Sequence, residues 1–142
     1  MDRRDFLAAG IAGTAAAILA SAPSNAQSSK AIIKPERLKK GDTVMIVAPA
    51  GVEYRKMRLK LSVESLEALG LKVKVAENAL GRFGYFPAED EARAAEVNQA
   101  FADNEVKAVI ALKGGWGAAR TLPYIDFDLI EKNPKILLGY SD

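Results

Sequence analysis

The spacing of apolar positions changes repeatedly along this chain, and each change predicts an element. "TVMIVA", Thr43 to Ala48, is a continuous, β-branched apolar run stopped by Pro49, the pattern of a strand buried on both faces. From about Tyr54 the period becomes helical, with Leu59, Val63, Leu66 and Leu69 on one face and Arg58, Lys60, Glu64 and Glu67 elsewhere, until Gly70 ends the helix. "LKVKVA" supplies the next strand. The stretch "ENALGRFGYFPAED" contains Gly81, Gly84 and Pro87 and predicts no regular element. A second helix opens on Glu89, Asp90 and Glu91, whose charges suit the positive end of a helix dipole, and carries a stripe of Ala94, Val97 and Phe101. "VKAVIAL" is a third strand, "KGGWG" a glycine-rich turn and "AARTLPYI" a short helix broken at Pro123. "DFDLIEKN" adds a helical turn or two before Pro134, with Asp126 and Asp128 as helix-start residues. "KILLG" is a fourth strand, in which Ile136, Leu137 and Leu138 read as buried.

Strands alternating with helices predict an α/β fold built on a parallel sheet with crossover helices. Right-handed crossovers put the carboxyl end of every strand on one edge of that sheet. "APAG", "KGGWG" and "GYSD" all lie at such ends, where open α/β sheets bind their ligands. Three turns are therefore expected to converge on one site.

The first residues follow a different pattern. "MDRRDFLAAGIAGTAAAILASAPSNAQ" pairs Arg3 and Arg4 with Phe6 and Leu7, continues in a weakly apolar stretch to Ala20, and reaches a small-residue site at Ser24-Asn25-Ala26. This is the pattern of a twin-arginine export signal over residues 1–26, followed by a domain over 27–142, and it predicts a periplasmic protein. The stretch is too short and too rich in Ala and Gly to make a stable membrane anchor.

Composition narrows the chemistry. The chain has 142 residues, 49% hydrophobic and 27% charged, which is enough to bury the core of one domain. Its formal charge of +2 is spread without a basic stripe, so no nucleic-acid footprint appears. There is no cysteine and no histidine, which excludes disulfides, thiolate zinc sites, a cysteine nucleophile and a histidine base within these residues. No metal and no cofactor is expected.

Ser141 is the candidate nucleophile. A strained turn at a strand end exposes a serine hydroxyl and aims backbone N–H groups at a developing oxyanion. The same Ser-Asp pair also fits a helix N-cap, the commoner arrangement at a strand end. Gly114, Gly115 and Gly117 offer further exposed amides, but by spacing alone they read first as a tight turn. Trp116, within that turn, suits either packing or a pocket wall. Phe83, Tyr85 and Phe86 either flank a ligand cleft or cover the sheet edge.

The segments "IKPERLKKGDTVMIVAPAG" and "GYFPAEDEARAAEVNQAFADNEVKAVIALKGGWGAARTLPYIDFDLIEKNPKILLGYSD" closely resemble the N-terminal domain of the LD-carboxypeptidases, a serine peptidase family that includes the microcin C immunity-type peptidases. The likeness runs from about Ile33 onward. Its most specific blocks are the opening K-P-x-R-L-K-x-G-D run, the G-G-x-G turn and the G-Y-S-D end. The resemblance implies a flavodoxin-like first domain of a two-domain peptidase and a Ser-Glu-His triad. Ser141 then matches the nucleophile, Gly115 and Asp142 the oxyanion donors, and Gly114 and Trp116 join them as oxyanion- or substrate-binding residues, with Trp116 standing where the family usually has tyrosine. The implied partner is a murein-derived peptide, from which hydrolysis releases a terminal D-alanine.

The triad's Glu and His belong, in the family, to a C-terminal domain that is missing from this sequence, so the chain is expected to be truncated after the elbow and inactive alone. Lys113 offers a substitute amine of the Ser-Lys kind, although no spacing brings it to Ser141. Two other functions stay open: a peptidase acting on peptidyl-nucleotides, and a non-catalytic exported module that binds a peptide carboxylate.

Overall fold

The computed structural model describes residues 32–141, and the fold is that of the unit Ile33–Asp142. The twin-arginine-type segment and Asp142 lie outside the described residues. Four strands form one sheet: β1 (Thr43–Val47), β2 (Lys72–Val75), β3 (Val106–Ala111) and β4 (Ile136–Leu138). Their order is β2-β1-β3-β4 and every pairing is parallel. That order is the flavodoxin-like one.

Parallel neighbours need crossovers, and three helices make them: α1 (Lys56–Ala68), α2 (Asp90–Ala102) and α3 (Phe127–Lys132). Register explains which side chains each helix meets. Met45 pairs with Val109 and Val109 with Leu137, so these three form one row on one face. Met45 and Val109 join Val47 and, from α2, Val97, Ala100 and Phe101 in the main core, with Ile130 of α3 packed against it. The neighbouring row, Ile46, Ile110 and Leu138, points to the opposite face, where Leu61 and Leu66 of α1 lie beside it.

The helix ends follow from local sequence. Gly70 and Leu71 close α1 by donating to the carbonyls of Glu67 at 2.8 Å and Leu66 at 3.2 Å, a Schellman cap. Asp126 caps α3 by accepting from the Leu129 amide at 2.9 Å. On α1, Leu59, Val63 and Leu66 are half-buried and no residue is fully buried, so the apolar face is covered only partly; Leu69 lies beyond the last turn and is exposed.

Three sequence expectations need correction. The stretch after β2 contains a 3-10 helix, Glu77–Leu80, fastened to α2 because the Glu96 carboxylate accepts from the Asn78 amide at 2.6 Å and its side-chain amide at 3.1 Å. The fourth strand is not buried: Leu137 is 64% exposed and Leu138 58%. β4 pairs with β3 on one side and is an edge strand of the described sheet, so its apolar sequence does not secure burial. The helix between β3 and α3 is a second 3-10 helix, Ala118–Tyr124, and it is not broken at Pro123: the proline lacks only a donor, and the Ile125 amide still closes the helix on the Leu122 carbonyl at 3.2 Å.

Candidate functional site

The three turns at the strand carboxyl ends meet. Leaving β1, Ala48, Ala50, Gly51, Val52 and Glu53 are all buried, which makes this exit loop a rigid floor. The glycine turn after β3 lies across it. A Cβ placed on Gly115 would stand 3.2 Å from the Gly51 backbone N and Cα, and Gly115 has φ +136, a conformation that side chains resist. On the other flank, a Cβ on Gly114 would stand 2.2 Å from the Tyr140 carbonyl oxygen and 2.8 Å from Ser141 Cβ. The turn is thus wedged between the exits of β1 and β4, and hydrogen is the only side chain that fits at Gly114.

Ser141 is exposed and has φ +64, alone among the described non-glycine residues in having a positive φ. Such backbone is strained for a residue with a Cβ and clusters at functional sites. Ser141 stands at the rim of an apolar groove of about 430 Å³ walled by α2, the second 3-10 helix and α3, with Phe101, Leu122, Phe127 and Leu137 among its lining. On the α1 face, a cleft of about 560 Å³ reaches Gly139 and Tyr140 from Glu53 and Arg58.

The aromatic loop belongs to this neighbourhood. Paired backbone hydrogen bonds between Phe83 and Phe86, at 2.7 and 3.0 Å, fold it into a tight turn. The Val52 amide donates to the Tyr85 carbonyl at 3.1 Å and ties that turn to the β1 exit. The Tyr85 hydroxyl would be 3.4 Å from a Cβ on Gly115 and 3.7 Å from one on Gly51. Trp116 is 59% exposed and stacks on Phe86, with centroids 5.6 Å apart and rings inclined by 21°. Tyr85 meets the Trp116 ring edge-on at 6.0 Å. The loop therefore lies against the glycine turn and the β1 exit.

The charged groups are anchored. Lys113 donates its amine to the Val52 carbonyl at 3.0 Å, so it serves the β1 exit. Glu53, 5% exposed, accepts from the Arg55 amide at 2.9 Å and pairs with Arg58 at 3.4 Å. Burial pushes its carboxyl up, but the Arg55 amide and the charges of Arg58 and Lys113 outweigh that and hold it below the usual carboxylate range. Among the described residues no three His, Cys, Asp or Glu side chains gather as a metal site would require.

Of the residues singled out from sequence, Gly114, Gly115, Trp116 and Ser141 are brought to one place. Sequence reasoning passed over Arg93, Glu53 and the contact of Tyr85 with the two glycines. Arg93 had a signal: it lies four residues before Val97 and eight before Phe101, on the apolar face of its own helix.

The model of the LD-carboxypeptidase N-terminal domain fits residues 44–142. A probable murein peptide carboxypeptidase of Bacillus subtilis is 45% identical over 109 residues, covering 77% of this chain and 34% of that protein. The solved muramoyltetrapeptide carboxypeptidase of Oxalobacter formigenes superposes with a TM-score of 0.64 at 32% identity, over 70% of this chain and 33% of its own. The microcin C7 self-immunity protein MccF, solved with aspartyl sulfamoyl adenosine, superposes with a TM-score of 0.74 at 27% identity, over 78% of this chain and 33% of its own. The chain spans about a third of the length of these relatives. It therefore belongs to the LD-carboxypeptidase family and carries sequence of that family's N-terminal domain.

Proposed function

We propose that this chain is the nucleophile-bearing part of a serine LD-carboxypeptidase that hydrolyses murein tetrapeptide and releases its terminal D-alanine. The observation that carries the reading is the contact of Gly114 with Tyr140 and Ser141, which sets a glycine turn against a strained, exposed serine. In this reading Ser141 Oγ attacks the carbonyl carbon before the terminal D-alanine. The amides of Gly115 and Asp142 donate to the oxyanion as charge develops there. The C–N bond then breaks, D-alanine leaves with the proton taken from the serine, and water hydrolyses the acyl ester.

A base must hold that proton, and none of the 142 residues is a histidine. The family resemblance implies that the triad's Glu and His come from a further domain, and on that reading the 142-residue chain alone is expected to be inactive. Action on wall peptides in the periplasm is part of the proposal; the Arg3-Arg4 pair and the small-residue site ending at Ala26 support it.

A second substrate class, the peptidyl-nucleotides, has one observation in its favour, the likeness to MccF, which is solved in complex with aspartyl sulfamoyl adenosine. The test is a chimera in which residues 33–142 replace the matching segment of the Bacillus subtilis relative. D-alanine released from murein tetrapeptide, in excess of cleavage of a peptidyl-nucleotide, supports the first class. The reverse preference supports the second. Saturable binding of tetrapeptide with no cleavage of either identifies a binding module instead.

A further inference from the structure

Arg93 is 1% exposed, and its guanidinium reaches parts of the chain that meet only at the site. Nη1 donates to the Pro49 carbonyl, in the loop leaving β1, and to the Gly117 carbonyl at 3.4 Å, the last glycine of the turn after β3. Nη2 pairs with Asp90, in the first turn of α2. The guanidinium carbon lies over the Phe86 ring, 4.4 Å from its centroid, and the other side chain of this cluster, Arg120, lies 5.4 Å from the same centroid while also holding Asp90 at 2.8 Å. Phe86 is the ring on which Trp116 stacks, and a Cβ on Gly117 would fall 2.4 Å from it.

Stability alone does not explain an arginine here. Burying a guanidinium is costly, and an apolar side chain of similar volume in such a place is often neutral or stabilising. Arg93 Nε is buried without a hydrogen-bond partner, so desolvation of the group is not fully offset. An apolar residue, however, cannot hold two carbonyls and a carboxylate from one planar fork.

We propose that Arg93 is a positioning residue: it fixes the separation between the β1 exit and the glycine turn, and through the turn the seating of Gly114 against Ser141 and of Gly115 against Gly51. Its value for catalysis rests on the proposed peptidase reading; its effect on the turn does not.

The test uses the full 142-residue chain, labelled with ¹⁵N, comparing Arg93→Met, Arg93→Lys and the control Lys135→Met. Lys135 is half-buried and, like Arg93, donates to backbone carbonyls, those of Ala100 and Asp103, but just before β4, away from the turn. The readouts are the amide signals of Gly114, Gly115 and Gly117 and the indole N–H of the single tryptophan. A folded Arg93→Met chain is expected to shift these signals and to exchange the glycine amides about tenfold faster relative to those of β3. Arg93→Lys, which keeps the charge but loses the fork, is expected to recover part of the shift, and Lys135→Met to leave the signals in place. Unmoved glycine and indole signals in a folded Arg93→Met chain overturn the proposal, as does an equal movement in the control. If Arg93→Met does not fold, Arg93→Lys decides: displaced turn signals in a folded chain support a positioning role, whereas wild-type signals, or global unfolding of this variant too, assign Arg93 to stability. None of these readouts requires Ser141 to react, so a failed peptidase reading leaves its own separate trace in the chimera.

Discussion

Gly114 and Ser141 are packed so closely that a single added carbon on the glycine would stand 2.8 Å from the serine Cβ and 2.2 Å from the preceding carbonyl oxygen. Neither obstacle is the end of a flexible side chain, so a larger residue at 114 must displace the serine turn. Gly114→Ala is expected to lower stability by about 1–3 kcal/mol through overpacking. In the chimera it should also lower the rate of D-alanine release by about 10²–10³-fold, the effect of losing an oxyanion donor's alignment. Urea titration and steady-state kinetics measure the two effects separately, and an active Gly114→Ala chimera would show that the contact is incidental to the chemistry.

Asp90 joins Arg120 and Arg93 at the start of α2. The Arg120 hydrogen bond, working against burial and assisted by Arg93, holds its carboxyl below the usual range. A carboxyl depressed in the folded state adds stability above its unfolded value, and that contribution disappears as pH falls through the folded value. Wild-type chain should therefore lose stability on acidification below about pH 4. Asp90→Asn should be less stable at neutral pH and lose less over the acid window. Part of the slope will persist, because Glu53 and Asp103 are shifted in the same direction. Urea midpoints at neutral and acid pH decide the matter; parallel losses in the two proteins would exclude a stabilising role for the charge.

Phe101 is 3% exposed at the centre of the core between α2 and the sheet. Phe101→Ala should cost about 3–5 kcal/mol, a large share of the stability of one small domain. Thermal unfolding followed by circular dichroism measures it, and a loss below about 1 kcal/mol would mean that the groove beside Phe101 collapses to fill the gap.

The sheet was readable because its signals are local. β-branched runs at β1 and β3, separated by helical periods, predict parallel strands without reference to anything distant, and the rule that such sheets bind at their carboxyl ends predicts that three turns converge. The exposure of Leu137 and Leu138 was not readable, since it depends on β4 standing at an edge of the described sheet, which is a property of strand order. Glu77–Leu80 was missed because four residues carry no period, and what holds them is Glu96 from another element. Arg93 was passed over because a charged helix residue is ordinarily solvated, although its place on the apolar stripe argued otherwise. The serine turn is ambiguous by spacing, and its positive φ at Ser141 and close fit to Gly114 are features of the folded chain that no spacing displays.

The most direct measurement is covalent. The chimera is treated with a fluorophosphonate, a reagent that phosphonylates activated serine hydroxyls, and the adduct is located by mass spectrometry of its peptides while D-alanine release is followed in parallel. The account predicts one adduct, on Ser141, appearing in step with loss of activity, and a Ser141→Ala chimera that takes no label and is slower by about 10⁴-fold or more. An adduct on another serine, or a Ser141→Ala chimera that still releases D-alanine at the parent rate, would contradict it.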